Sequence, residues 1–319
     1  MWLQVRDLYL YLFRHAIIVN GYVDDHTWCG IRHRNWGDDL NFYFLRMITG
    51  RPIIFRHNFR IAKWLQHRNF LCIGTLLDGG KYKDRNTTIW GSGCSGADRG
   101  LTQPEKVLAV RGPKSRNYLL SQGIECPEVY GDPALLLSLV YQPGWKSQVL
   151  GSKQNEETNN LETRNSKLET KRYRLGIIPH VVDLHHPVIE EIREKHADEI
   201  LIIDLAHYEK WTDVIDQICS CERILSSSLH GLIVSDAYQV SSCWIELSGN
   251  ISGGYFKFYD YASSVERDFS EPSCIEKIAD VADIANHAVL HFSCADVEKV
   301  KELQQGLIKV APFKLRISV

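Results

Sequence analysis

Arg223-Ile224-Leu225-Ser226-Ser227-Ser228-Leu229-His230-Gly231-Leu232-Ile233-Val234-Ser235-Asp236 is an apolar, strand-like run that ends in three serines and passes within two residues into a helix-like run. His230 is thereby left at the mouth of a strand-to-helix turn. Open parallel sheets bind ligands outside the carboxyl ends of their strands, and a helix N-terminus there offers unpaired N–H groups and a partial positive charge. No acidic side chain stands from Ser226 to Gly231, so an anion meets no repulsion on approach. A buried histidine next to a serine-capped helix is the plainer reading of the same residues.

The alternation extends outward from this turn. Strands are expected at Arg174–Ile178, Ile200–Leu205, Arg223–Ser227 and Cys243–Leu247, with helices at Pro187–Lys195, Tyr208–Cys221 and Leu229–Tyr238. Elements of these lengths in strict alternation imply an α/β fold with a parallel sheet covered on both faces. Pro179-His180 ends the first of these strands, which puts His180 on the ligand side too. Further on, Gly253-Gly254-Tyr255-Phe256-Lys257-Phe258-Tyr259-Asp260-Tyr261 crowds aromatics around one lysine. Aromatic faces with a cation can hold a sugar or an anion, although a hydrophobic helix edge is equally simple. Ser273 to Lys309 has mostly helical patterning.

The first half carries the same signals. Ala16–Val19, Ile53–Phe55, Phe70–Leu77, Thr87–Trp90 and Lys106–Val110 read as strands. Asn35-Trp36-Gly37-Asp38-Asp39-Leu40-Asn41 leads into a helix that stops at Thr49-Gly50, with Asn35 or Asp38 as its cap. Beyond capping, Asn35, Asp38 and Asn41 suit the hydroxyls of a sugar. Gly91-Ser92-Gly93 would let backbone approach a ligand closely, or simply form a tight turn. Arg111 ends a buried strand, and Pro113 opens the helix that follows. A buried guanidinium needs an anion, either a substrate carboxylate or phosphate or an internal Asp or Glu.

Composition sets the limits. The chain has 319 residues, 44% of them hydrophobic, and a formal charge of -2, so it can bury large cores and has no global basic field for nucleic acid. Nine scattered cysteines show no repeated zinc spacing, and free thiols in a reducing compartment are the simplest account. No metal is required. No signal peptide is read at the N-terminal end, and no apolar run reaches the ~20 residues needed to span a bilayer. Leu8 to Phe13, flanked by Arg6 and Arg14, is compatible with a membrane-surface contact as well as with an ordinary helix or strand. From Ser147 to Arg174 the chain turns polar and loses large apolar groups. The expected units are therefore residues 1–145, a polar linker at 146–173, residues 174–295, and a helix at 296–319.

Asn35-Trp36-Gly37-Asp38-Asp39-Leu40-Asn41 with Thr49-Gly50, Trp90-Gly91-Ser92-Gly93, Ala109-Val110-Arg111-Gly112-Pro113, Tyr130-Gly131-Asp132-Pro133-Ala134 and Ser226-Ser227-Ser228-Leu229-His230-Gly231, in this order, resemble the polysaccharide pyruvyl transferase family. Lys257-Phe258-Tyr259-Asp260-Tyr261 is a looser match. The resemblance implies two Rossmann-like domains facing across a cleft, in a GT-B-like arrangement, and transfer of pyruvate from phosphoenolpyruvate onto two sugar hydroxyls as a ketal. It implies His230 as general acid and Arg111 as its cationic companion. The donor side would comprise Arg111, Ser227, Ser228, Leu229, His230, Gly231, His180 and Lys257, and the acceptor side Asn35, Gly37, Asp38, Asn41, Gly91 and Ser92. The partners implied are phosphoenolpyruvate as co-substrate, with no other cofactor, and a sugar or lipid-linked oligosaccharide, in the cytoplasm or at the inner membrane face. Ser228 departs from the family, whose members often carry a basic residue there, and Lys257 is the candidate to replace it. A nucleotide-sugar glycosyltransferase and a non-catalytic carbohydrate-binding protein are the competing readings.

Overall fold

A computed structural model describes residues 2–21, 23, 31, 35–57, 59, 64, 67–78, 85–97, 102–143, 173–251, 253–286 and 292–317. Most of the expected polar linker lies outside the described residues. The first half contains α1 (Trp2–Arg14), β1 (Ile17–Asn20), α2 (Trp36–Thr49), β2 (Ile53–Phe55), β3 (Asn69–Leu71), β4 (Thr87–Trp90), β5 (Lys106–Ala109) and α3 (Pro113–Ser121). A 3-10 turn at Pro133–Leu136 runs into α4 (Leu137–Val140). The second half contains β6 (Leu175–Ile178), α5 (Pro187–Lys195), β7 (Ile200–Ile202), α6 (Asp213–Ser220), β8 (Arg223–Ser226), α7 (Leu229–Tyr238), β9 (Ser241–Glu246), α8 (Phe256–Val265), β10 (Ser273–Cys274), α9 (Ile278–Asn286) and α10 (Val297–Lys309).

The strands form two five-stranded sheets, ordered β2-β1-β3-β4-β5 and β10-β9-β8-β6-β7, with every pairing parallel. Counted from the first strand of each half, the two orders are the same doubly wound pattern. Each reverses direction at one point, between β1 and β3 and between β6 and β8, where such sheets open a crevice for ligands.

Strands and helices follow from burial on both sheet faces. In β1, Ile17 and Val19 join the core beneath α2, while Ile18 faces a smaller cluster with Leu8, Leu10 and Tyr11 of α1. The α2 cap is the expected one: Asn35 accepts a hydrogen bond from the Gly37 amide at 3.2 Å, and Gly50 closes the helix in the left-handed region at φ 65°. All ten residues of α7 are buried, the Asp236 carboxylate against Arg267 at 2.9 Å.

Several element boundaries differ from the sequence expectation; the strand expected over Ile200–Leu205, for one, ends at Ile202. The strand expected over Phe70–Leu77 ends at Leu71, because Asn41 takes both backbone groups of Ile73: the Ile73 amide donates to Oδ1 at 3.0 Å and Nδ2 donates to the carbonyl at 2.9 Å. The helix expected from Tyr208 starts at Asp213, whose carboxylate accepts from the Lys210 amide at 2.7 Å and so closes a turn ahead of it. In the region expected to be mostly helical, Ser273–Cys274 adds a short strand to β9.

The halves are joined. One apolar cluster runs from Ile17 and Phe44 through Leu135 and Leu136 to Leu232 and Trp244. The last helix returns to the first sheet: Trp90 Nε1 donates to the Leu307 carbonyl at 3.0 Å, and Phe313 packs edge-on against Trp90 and Phe70. Among the described residues, no helix is long and apolar enough to cross a membrane.

Candidate functional site

The chain crossings that matter converge on the first turns of α2 and α7. The Trp36 amide donates to the Leu205 carbonyl at 2.8 Å, Trp36 Nε1 to the Trp211 carbonyl at 2.7 Å, and the Tyr208 hydroxyl to Asp39 at 2.6 Å. These bonds seat the start of α2, which follows β1, against the second half. Gly37 then meets the His230 ring. A Cβ built on Gly37 would lie 1.9 Å from Nδ1 and 2.3 Å from Cγ, so only a residue without a side chain lets the imidazole pack there.

His230 stands in the first turn of α7 and is 9% exposed, and its buried Nε2 has no hydrogen-bond partner. Ser228, the N-cap, makes no side-chain capping bond, so its hydroxyl leaves the first amides of α7 uncapped. The other serines are structural. Ser226 Oγ accepts from the Ser228 amide at 3.1 Å and donates to the Ser228 carbonyl at 2.8 Å, which holds the turn. Ser227 Oγ accepts from the His180 amide at 2.8 Å and so ties the end of β8 to the end of β6. Gly231 packs over Ser226, whose Oγ lies 2.3 Å from where a Cβ would stand, and Leu229 is buried.

Two cations, Arg111 and Lys257, and two histidines share this neighbourhood. Burial, then the charges of Arg111 and Lys257 and the nearby His180, depress His230 to about 3. Burial and Lys257 lower His180 to about 4, and burial with Arg111 lowers Lys257 to about 8 against a smaller opposing pull from Asp38. Both rings are therefore neutral near pH 7, in a positive field with an unpartnered ring nitrogen. An anion close by would oppose the part of each shift that comes from neighbouring charge, the larger part coming from burial.

Of the two readings open for Arg111, the geometry supplies the internal ion pair. Arg111 is fully buried; its Nε donates to Asp260 at 3.0 Å, Nη1 to the Thr75 hydroxyl at 2.8 Å and Nη2 to the Cys94 carbonyl at 2.8 Å. Asp260 also accepts from the Ser115 amide at 2.8 Å and the Ser115 hydroxyl at 2.6 Å, so the anion at the N-terminus of α3 is the chain's own. The guanidinium lies where a Cβ on Gly93 would be, at 2.3 Å from Cζ. Arg111 thus acts on His230 through its field.

On the α2 side, Asp38 is half-buried and lies in the field of Lys257. Asn35 is engaged as the cap. Asn41 and Ser92 are fully buried and bonded to backbone, Asn41 to Asp38 and Ile73 and Ser92 to the Gly74 carbonyl at 2.9 Å. Gly91 adopts φ 91° against Pro133. The structure thus gathers His230, His180, Lys257, Gly37 and Asp38 around one locus, with Arg111 directly behind. Asn41, Gly91 and Ser92 shape the frame. Sequence reading missed Trp36, Asp39, Thr75 and Asp260 as parts of this arrangement, although Trp36, Asp39 and Asp260 stood inside quoted motifs and an acidic partner for Arg111 was one of the two options. Among the described residues, no group of three or more His, Cys, Asp or Glu is placed to hold a metal ion.

Fold and site together define a doubly wound parallel α/β protein with a cluster of two histidines and a lysine at paired strand ends. The family model described as polysaccharide pyruvyl transferase matches residues 96–249, a transferase family, and bears out the resemblance carried by the motifs. That span includes Arg111, His180 and the Ser227–Gly231 turn; the α2 residues and Lys257 lie outside it. An uncharacterized protein of Acanthamoeba polyphaga mimivirus is 26% identical over 249 residues, covering 76% of this chain and 77% of its own length. No solved structure matches.

Proposed function

We propose that the chain is a pyruvyl transferase that moves the pyruvyl group of phosphoenolpyruvate onto two hydroxyls of a sugar as a ketal, releasing phosphate, in cell-surface polysaccharide assembly. The observation that carries this is the buried, unpartnered Nε2 of His230 at the uncapped N-terminus of α7, in the field of Arg111 and Lys257. Phosphoenolpyruvate brings a phosphate and a carboxylate. The α7 amides and Lys257 receive them, with His180 alongside, and Lys257 does the work of the basic residue that Ser228 lacks.

The same charge prepares the acid. A ring held near 3 is no proton donor at neutral pH, but a bound multiply charged anion raises its basicity, so His230 gains its proton only with the donor in place. It then protonates the methylene carbon, and the adjacent carbon is attacked by one sugar hydroxyl. A second hydroxyl displaces phosphate. Of the two protons the hydroxyls lose, one restores His230 and one leaves with phosphate. Asp38 hydrogen-bonds an acceptor hydroxyl on the opposite side, with Asn35 and the Gly91–Ser92 turn framing that side. On this reading the two sheets are the Rossmann-like halves of a GT-B-like arrangement, acceptor on 1–145 and donor on 174–295, working in the cytoplasm at the inner membrane face.

The test is phosphate release from phosphoenolpyruvate over a panel of sugar acceptors, with the ketal product detected by mass. Release should depend on the acceptor, and His230→Gln should lower kcat by about 10²–10⁴-fold. No release with any acceptor, together with no phosphoenolpyruvate binding by calorimetry, would overturn the proposal. Binding of a nucleoside diphosphate sugar instead would assign glycosyl transfer, and sugar binding indifferent to phosphoenolpyruvate would assign a binding protein.

A further inference from the structure

The helix α1 is built the wrong way round for a helix that ends at water. Its inner side packs Leu8, Leu10 and Tyr11 on Ala16, Ile18, Ile54 and Phe59. Its outer side is also apolar: Trp2, Val5, Tyr9, Leu12 and Phe13 are 73%, 55%, 51%, 54% and 67% exposed. At helical spacing these five fall within an arc of about 100°, an unbroken stripe along the whole helix. Scattered exposed apolar side chains are ordinary, but a continuous stripe marks an interaction surface.

Charge narrows the occupant. Asp7, the one acid in α1, is fully buried against Arg6 at 2.7 Å, so the helix shows no carboxylate to solvent. Arg14 ends the helix exposed. Trp64, 81% exposed, belongs to the segment between Phe59 and His67, both of which meet Tyr11 of α1. Aromatic and aliphatic groups edged by arginine suit the boundary between headgroups and acyl chains of an anionic bilayer. A second copy of the chain fits less well. A strip about 20 Å long and 10 Å wide offers on the order of 200 Å², against about 800 Å² that each partner buries in a stable dimer.

We propose that α1 docks the protein on anionic lipid membranes, lying in the surface plane with the Trp2-to-Phe13 stripe inserted and Arg14 among the phosphates. The claim is independent of the reaction catalysed. It is tested by flotation of the whole protein with vesicles of phosphatidylcholine mixed with phosphatidylserine and with vesicles of phosphatidylcholine alone. The protein should float with the mixed vesicles, less with the neutral ones, and less at high salt. Val5→Glu combined with Leu12→Glu should reduce the bound fraction at least about tenfold, with an unchanged melting temperature because both positions are exposed. Phe13→Ser with Trp64→Ser, a gentler pair, should lower binding in the same direction. The proposal fails if the unaltered protein does not float, or if both paired variants float as it does. It also fails if sedimentation shows a dimer that the Val5→Glu/Leu12→Glu variant dissolves, which would give the face to a second copy.

Discussion

Gly37→Ala is the substitution that most directly tests the site. In an ordinary helix this change adds about 1 kcal/mol of stability. Here the new methyl carbon would lie 1.9, 2.3 and 2.4 Å from three atoms of the His230 ring. Normal contact is about 3.5 Å, so the ring or the start of α2 must shift by about 1.5 Å. Overpacking of this kind costs roughly 1–3 kcal/mol, which equals or outweighs the helix gain and leaves a loss of about 0–2 kcal/mol. The functional effect is larger, since displacing a reacting group by about 1 Å can cost about 10²-fold in rate. Two assays apply. Acceptor-dependent phosphate release should fall at least about 10²-fold. Histidine titration by NMR should show the His230 resonance moving from about 3 toward its ordinary 6.5 as the ring leaves its buried seat. A variant that turns over normally with an unchanged His230 titration would refute the packing of His230 on Gly37 and the mechanism built on it.

Three further outcomes follow from the same geometry. Near pH 8 Lys257, held at about 8, is half protonated, so binding phosphoenolpyruvate should take up at least roughly half a proton on Lys257, besides the one His230 gains; calorimetry of His230→Gln in two buffers of different ionisation enthalpy isolates the Lys257 part, and zero uptake there would remove Lys257 from the site. His230 and His180 have folded pKa values, about 3 and about 4, below the ordinary 6.5, so their contribution to stability is complete above pH 6.5 and declines as pH falls toward those values. Urea unfolding should therefore show the unaltered protein losing more stability between pH 7.5 and pH 5 than His230→Gln does; equal losses would contradict the burial of a neutral ring. Asp260→Asn should destabilise by about 3–5 kcal/mol, because it leaves Arg111 buried without its counter-ion and weakens the α3 cap. A loss under about 1 kcal/mol in urea melts would show that Arg111 finds another anion.

Local chemistry accounts for what could be read without coordinates. The Asn35 cap, the Gly50 stop, the Pro113 helix start and the strand that ends in Ser226 all depend on residues within a few positions of one another. Readings failed where a distant group intervened. Ile73 leaves the ladder because a side chain from α2 takes its backbone groups, and no pattern in Phe70–Leu77 reveals that.

The sequence by itself determined the alternation of strands and helices, the positions of the turns, and that His230 and His180 stand just beyond strand ends on the ligand side. Periodicity and capping are short-range, so they are written in neighbouring residues. Only the tertiary structure decided what each charged group faces: Arg111 meets Asp260 across 149 positions of chain, and His230 rests on Gly37 of the other half. Coulombic and packing energies depend on distance in space, and that distance exists only once both sheets are folded together.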